Sequence, residues 1–395
     1  MSTRTILWHY YIVSTTSVRD LLLLGGGKDL ASERGVSCAG ELPAASDPDL
    51  IERAQIARAK LGDQAYILGH HYQRDEVIAF ADVTGDSFKL AQAAAARPNA
   101  KYIVFCGVHF MAESADILTV SDQKVVLPDL AAGCSMADMA SGEQVARCWD
   151  QLGELGLAEG TIPVTYMNSS AVIKAFTGRN GGTICTSSNA RTALAWALEQ
   201  GTRVLFLPDQ HLGRNTAVTQ HGIPLDQCVV WDPWKPQGGL TEAELRSAKM
   251  ILWRGHCSVH GRFTLESVNE VRRRIPDVKV LVHPECTYEV ATAADLVGST
   301  EFIIKTITAA APGTSWAIGT ELNLVQRLAK TNPDKQIVFL DKAVCYCSTM
   351  NRIDLPHLVW ALESLVEGRI VNQIVVEPEV AKYAKVALDR MLSLA

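Results

Sequence analysis

Apolar residues along this chain fall into short blocks separated by stretches of mixed character. Tyr66 to Leu68, Tyr102 to Cys106, Val125 to Leu127, Pro163 to Met167, Val204 to Leu207, Val278 to Val282, Trp316 to Gly319 and Ile337 to Leu340 read as short buried strands. Between them apolar residues recur at helical spacing. Helices are expected over Glu76 to Val83, up to about Ala96, near Ala112 to Leu118, from Ala171, and over Ala190 to Glu199. Further ones are expected over Phe302 to Ala309, near Leu322 to Ala329, over Leu355 to Glu367, and through Val380, Tyr383, Ala387 and Met391. Thr241-x-x-Glu244 reads as a capping box at a helix start.

This alternation predicts α/β units with parallel sheets and crossover helices. It also repeats three times, loosely. Each copy runs strand, polar tip, helix, small-hydroxyl turn, helix, strand, helix, strand, cysteine. The tips are His70-His71-Tyr72, Asn168-Ser169-Ser170 and His283-Pro284-Glu285. The turns are Gly85-Asp86-Ser87, Thr186-Ser187-Ser188 and Gly298-Ser299-Thr300, and the cysteines are Cys134, Cys257 and one of Cys345 and Cys347. The second copy carries an insertion from Trp231 to about Met250. The expected organisation is an extension over 1–45, three units over 46–149, 150–260 and 261–372, and a closing helical segment over 373–395. An initiation codon placed too early is one reading of the extension.

Composition narrows the classes. A chain of 395 residues that is 48% hydrophobic and 20% charged can fill two or three cores. Lys and Arg number 37 against 43 Asp and Glu, a net charge of −6, which argues against a nucleic-acid binder. It leaves room for a small anionic substrate in a locally positive pocket. No run approaches the ~18 apolar residues of a membrane span. Ile6 to Val13 is interrupted by His9 and lacks a small-residue cleavage site, so no signal peptide is read there. Ten scattered cysteines are too few for a disulfide scaffold and suit a reducing compartment, with some thiols free to hold a metal.

In parallel sheets ligands bind beyond the carboxyl ends of the strands, where the polar tips fall. His70, Tyr72, His283 and Glu285 are candidate acid–base groups there. Tyr166 and Asn168 add neutral donors. Ser87, Ser187, Ser299 and Thr300 stand where helices should start; they either cap those helices or hold carboxylate or phosphate groups. Three thiolates brought together from equivalent loops would suit an iron–sulfur cluster with one open iron. Zinc on three cysteines and His260 is the competing site. Cys106, Cys148, Cys185, Cys228 and Cys286 read as small buried hydrophobes. Pro208 to Arg214 reads as a polar loop at a strand end.

Several strings together resemble the quinolinate synthase family: Gly69-His70-x-Tyr72-Gln73, Gly85-Asp86-Ser87, Tyr166-x-Asn168-x-Ser170-Ala171, Trp253-x-Gly255-x-Cys257-x-Val259-His260, His283-Pro284-Glu285, Gly319-Thr320-Glu321 and Cys347-Ser348-Thr349-Met350. The resemblance covers about Tyr66 to Leu365. It implies three similar α/β domains around a pseudo-threefold axis, with a [4Fe-4S] cluster on Cys134, Cys257 and Cys347 at the centre. Cys347 is preferred to Cys345 for its Cys-x-x-Met context. The implied reaction condenses iminoaspartate with dihydroxyacetone phosphate to quinolinate, a cytoplasmic step of de novo NAD biosynthesis. An aspartate-oxidising enzyme would supply the imine. By the same resemblance His70, Tyr72, Tyr166, Asn168, His260, His283 and Glu285 are substrate-contacting or acid–base residues. Ser87, Ser187, Ser299 and Thr300 hold anionic groups. His71 stands where the family often has Asn or Tyr, leaving open which neighbouring histidine faces substrate. Oxidation of Cys345 and Cys347 to a disulfide is expected to strip the cluster of a ligand.

Overall fold

A computed structural model describes residues 42–342 and 346–394. Cys345, and with it the expected disulfide, lies outside the described residues. The chain enters through helix α1 (Leu50–Leu61). The first unit then runs β1 (Ala65–His70), α2 (Asp75–Ile78), β2 (Val83–Gly85), α3 (Ser87–Ala95), β3 (Tyr102–Cys106), α4 (His109–Leu118) and β4 (Lys124–Val126). The second begins with α5 (Gly142–Glu154) and continues β5 (Thr161–Tyr166), α6 (Ala171–Arg179), β6 (Thr183–Cys185), α7 (Ala190–Gln200) and β7 (Arg203–Leu207). It ends with α8 (Gln210–His221), β8 (Cys228–Trp231), α9 (Glu242–Ser247) and β9 (Met250–Trp253). The third has α10 (Leu265–Arg274), β10 (Lys279–Val282), α11 (Tyr288–Ala293), β11 (Leu296–Val297), α12 (Thr300–Ala309), β12 (Ser315–Gly319), α13 (Leu322–Thr331) and β13 (Gln336–Phe339). Helix α14 (Leu355–Val366), β14 (Gln373–Ile374) and α15 (Pro378–Ser393) close the chain.

The triplication is visible in strand order. The sheets run β14-β4-β3-β1-β2, β8-β9-β7-β5-β6 and β13-β12-β10-β11. In each, the first strand of the unit lies between its second and third, with the fourth beyond the third. All these pairings but β14 with β4 are parallel. Two additions break the pattern. Strand β8, which runs just ahead of the second unit's insertion, lies outside β9 and pairs parallel to it, and β14 returns antiparallel to β4. The leading strands carry almost uninterrupted apolar residues because helices cover both faces of each sheet.

Burial follows from that. In the third unit Val280 and Val282 face one apolar layer with Ala317, while Leu281 faces the other with Trp316 and Ile318. The first two units instead share one large apolar cluster, which α14 and α15 help to build. Helix α15 lies along α6, and Gly178 makes the close approach possible, since a methyl there would meet the Tyr383 carbonyl. Helix α14 returns to α1, with Leu355 and Val359 against Leu50 and Ala54.

Some local expectations need correction. The helix expected over Glu76 to Val83 is a single turn, Asp75–Ile78, and Val83 opens β2. Pro208 to Arg214 is not a loop throughout. Asp209 caps α8 by accepting the His211 amide at 2.8 Å, so the helix begins at Gln210. The capping box at Thr241 and Glu244 is present. No described helix is long and apolar enough to cross a membrane.

Candidate active site

The carboxyl ends of β1, β5 and β10 converge on one cavity of about 70 Å³. Its wall contains His70, Tyr72, Ser87, Cys134, Tyr166, Asn168, Ser187, Cys257, His260, His283, Glu285, Thr300 and Cys347. Every candidate named from the sequence lies there except Ser299. That hydroxyl caps α12 by accepting the Phe302 amide at 3.3 Å. His70 faces the cavity, while His71 turns to Glu301 at 2.9 Å.

At the centre is a buried polar network built from three units. Glu285 Oε1 accepts from the Tyr166 hydroxyl at 2.6 Å, and Oε2 pairs with His260 Nδ1 at 2.8 Å. His260 Nε2 reaches Thr320 Oγ1 at 3.2 Å. Thr320 meets the Tyr72 hydroxyl at 2.8 Å, and Tyr72 also touches Thr300 Oγ1 at 3.1 Å. The His260 and His283 rings stack with centroids 4.5 Å apart. The Tyr72 amide donates to His70 Nδ1 at 3.2 Å.

Burial sets the protonation states. It pushes the His70 imidazole down to about 3, helped by the charges of His71 and His283. His283 also falls to about 3, with burial outweighing attraction to Glu285. Burial alone would raise Glu285, but His260 and His283 together with the His260 and Tyr166 hydrogen bonds hold it well below the usual carboxylate range. Both tyrosine hydroxyls are driven well above 10 by burial, so they stay protonated donors. The site therefore combines one firm carboxylate, two neutral imidazoles and two phenols.

Helices α3, α7 and α12 start at the cavity, where Ser87, Ser187 and Thr300 lie. Helix starts with hydroxyl side chains of this kind suit anionic groups. Asp86 lines the same wall, caps α3 through the Lys89 amide at 2.9 Å, and accepts from Ser188 Oγ of the second unit.

The three cysteines come from three units. Burial raises all three thiols, Cys134 to about 12; the charge of Cys347 raises Cys134 further, and those of Glu285, Cys134 and Cys347 raise Cys257 further. All three line the same cavity. Among the described residues, the trio of metal-ligating atoms mutually within 4.8 Å is Cys257, His260 and Glu285; the three thiols form no such trio. A tetrahedral zinc with Zn–S of about 2.3 Å would draw its sulfurs to roughly 3.8 Å of one another. All eight described cysteines are free, and Cys106, Cys148, Cys185, Cys228 and Cys286 are buried.

Two site residues carried no assigned role in the sequence reading. Thr320 joins Tyr72 to His260. Glu321 caps α13 through the Asn323 amide at 2.7 Å and accepts the Cys347 amide at 3.4 Å; burial lifts its carboxyl to about 7. Both sit in the Gly319-Thr320-Glu321 string at the end of β12. Their position beyond a parallel strand was the available signal.

The quinolinate synthetase A protein family matches residues 54–393. The chain is 72% identical over 376 residues to the quinolinate synthase of Streptomyces coelicolor, covering 95% of each. It is 68% identical to that of a Nocardioides species, covering 95% of this chain and 96% of the relative. Against the Corynebacterium glutamicum enzyme identity is 58%, with 90% of each covered. A coverage of 95% reaches into residues 1–45, so part of that stretch is shared with relatives and does not stand apart from them. On this breadth of identity the chain belongs to the quinolinate synthase family.

Proposed function

We propose that the chain condenses iminoaspartate with dihydroxyacetone phosphate to quinolinate, releasing phosphate and two waters. It is thus a transferase that forms a carbon–carbon bond with dehydration, in the cytoplasmic supply of NAD. The observation that carries this reading is the meeting, in one cavity, of three half-buried thiols and the network Tyr72, Thr320, His260, Glu285 and Tyr166. Three cysteines from three units lining one cavity fit a [4Fe-4S] cluster held by Cys134, Cys257 and Cys347. Such a cluster, with one iron lacking a protein ligand, supplies a Lewis acid for substrate oxygen.

The chain's own groups account for the rest. Substrate carboxylates and phosphate dock at the starts of α3, α7 and α12, on Ser87, Ser187 and Thr300, with Asn168 as a further donor. Ring formation removes protons from carbon and adds them to departing oxygens. The neutral imidazoles of His70 and His283 can accept protons, and Tyr72 can donate one at its hydroxyl. Glu285 fixes the His260 ring through Nδ1 and stabilises a proton arriving on it. Enclosure among the three units excludes water and protects iminoaspartate from hydrolysis. Because that imine is short-lived in water, an aspartate-oxidising enzyme is its expected source.

The test is anaerobic purification followed by assay. A brown, oxygen-labile protein that loses iron when Cys134, Cys257 or Cys347 is replaced by serine supports the cluster; a colourless zinc protein sinks it. Quinolinate formed from iminoaspartate and dihydroxyacetone phosphate supports the activity. Its absence with iron-replete protein overturns it.

A further inference from the structure

Tyr72 is held at both ends by one stretch of the third unit. Its hydroxyl rests on Thr320 at 2.8 Å. Its own carbonyl accepts from Asn323 Nδ2 at 3.0 Å. The carbonyls on either side are taken by one guanidinium: Arg327 Nη1 donates to His71 O at 2.7 Å and Nη2 to Gln73 O at 2.6 Å. Its Nε completes the fork on Asp75 Oδ1 at 2.7 Å. Asn323 and Arg327 are four apart in α13 and so share a helix face. Three consecutive carbonyls of a first-unit loop thus accept from two side chains of the third.

Such an arrangement is uncommon for a strand-end loop, whose carbonyls can usually be left to water. It also has a geometric consequence. The guanidinium is planar, with donors at fixed separation, so it sets the distance between the His71 and Gln73 carbonyls and with it the direction of the Tyr72 side chain. A lysine ammonium is a single point and cannot bridge the two in that way. The same helix begins at Glu321, next to Thr320, so the hydroxyl and backbone contacts of Tyr72 move as one body with α13.

We propose that Arg327, seconded by Asn323, is a positioning residue that aims the Tyr72 hydroxyl into the cavity. The inference rests on the reaction proposed above, because it assigns Tyr72 a part in turnover. It touches neither substrate nor cluster and acts only through Tyr72.

The test uses the iron-loaded enzyme. Arg327→Lys keeps the charge and loses the fork. It should lower kcat about ten- to a hundredfold, the range expected for misplacing a reacting group by about 1 Å, while KM and iron content stay near wild type. Asn323→Ala should give a smaller loss in the same direction. In a Tyr72→Phe background Arg327→Lys should have almost no further effect on kcat, because the aimed hydroxyl is already gone. A full additional loss in that background, or an unchanged kcat in the single variant, overturns the proposal. Amide hydrogen exchange over residues 70–74 is read in parallel and needs no activity. Faster exchange in Arg327→Lys supports the clamp and unchanged exchange overturns it. A wild-type chain that makes no quinolinate sinks the reaction instead, and exchange alone then decides the clamp.

Discussion

The Tyr166 hydroxyl and the Glu285 carboxylate, from different sheets, meet at 2.6 Å inside the cavity. The contact is charge-assisted, and with His260 on the other oxygen it uses both ends of the carboxylate. Glu285→Gln removes the charge that orders both partners, and turnover should fall about 10²- to 10⁴-fold, the usual worth of a positioned acid–base group. Tyr166→Phe removes one donor and should cost about 1.5–3 kcal/mol, the range for a bond to a charged group. Single-turnover quinolinate formation at matched iron content measures both. Unchanged turnover in Glu285→Gln would remove that residue from the scheme.

Asp129 and Arg352 form a second buried pair, Oδ2 to Nε at 2.9 Å, with Asp129 only 1% exposed. Asp129 lies just before Cys134 and also accepts the Ala131 amide at 2.9 Å, while Arg352 ends the turn after Cys347. The pair therefore ties two cysteine-bearing loops. Arg352→Met takes the nearer cation from a buried carboxylate, leaving it His357 Nε2 at 3.7 Å, and should cost up to about 3–5 kcal/mol. Urea unfolding measures it, and adding Asp129→Asn should recover part of the loss.

Lys174 is fully buried, with Nζ donating to Phe110 O at 3.0 Å and Ser169 O at 2.8 Å. Burial lowers its ammonium from 10.5 to about 8. Below pH 8 the folded and unfolded chains both hold the proton and the cost of the buried charge stands in full. Between about 8 and 10.5 the folded chain has released a proton that the unfolded chain keeps, so folding gains. The stability of wild type relative to Lys174→Met should rise across that window in paired melting curves. A flat difference would contradict the shift.

Gly178 and Gly153 separate two effects of the same substitution. A methyl at Gly178 would run into the Tyr383 carbonyl of α15. Gly178→Ala should therefore destabilise by about 1–3 kcal/mol, as overpacking does. At Gly153, near the end of α5, nothing lies within 4 Å of the added carbon. Gly153→Ala should stabilise by about 0.4–1 kcal/mol by restricting the unfolded chain. Thermal melts of the two variants should move in opposite directions.

The strands that matter most were legible because burial on both faces writes them as mostly apolar runs. β1, β5 and β10 are such runs, and the polar residues at their ends mark the site. The short β2, β6 and β11 were not legible, since two or three residues cannot show a period. The first turn of α8 was not legible because Asp209 to Gly213 is mostly polar and carries a glycine; the cap on the His211 amide reveals it only in three dimensions.

The sequence by itself determined the α/β class, the threefold order of elements, the membership suggested by its motif strings, and most of the polar side chains of the cavity wall. These are local properties, written in periodicity and in residue type at strand ends. Tertiary structure alone decided which of two adjacent histidines faces the cavity, that Ser299 caps a helix, and that Thr320 joins Tyr72 to His260. It also decided that Arg327 grips a loop some 250 residues earlier in the chain, with a separation of 256 to His71. Such contacts depend on how three units meet, and no period along the chain encodes the relative placement of side chains so far apart in sequence.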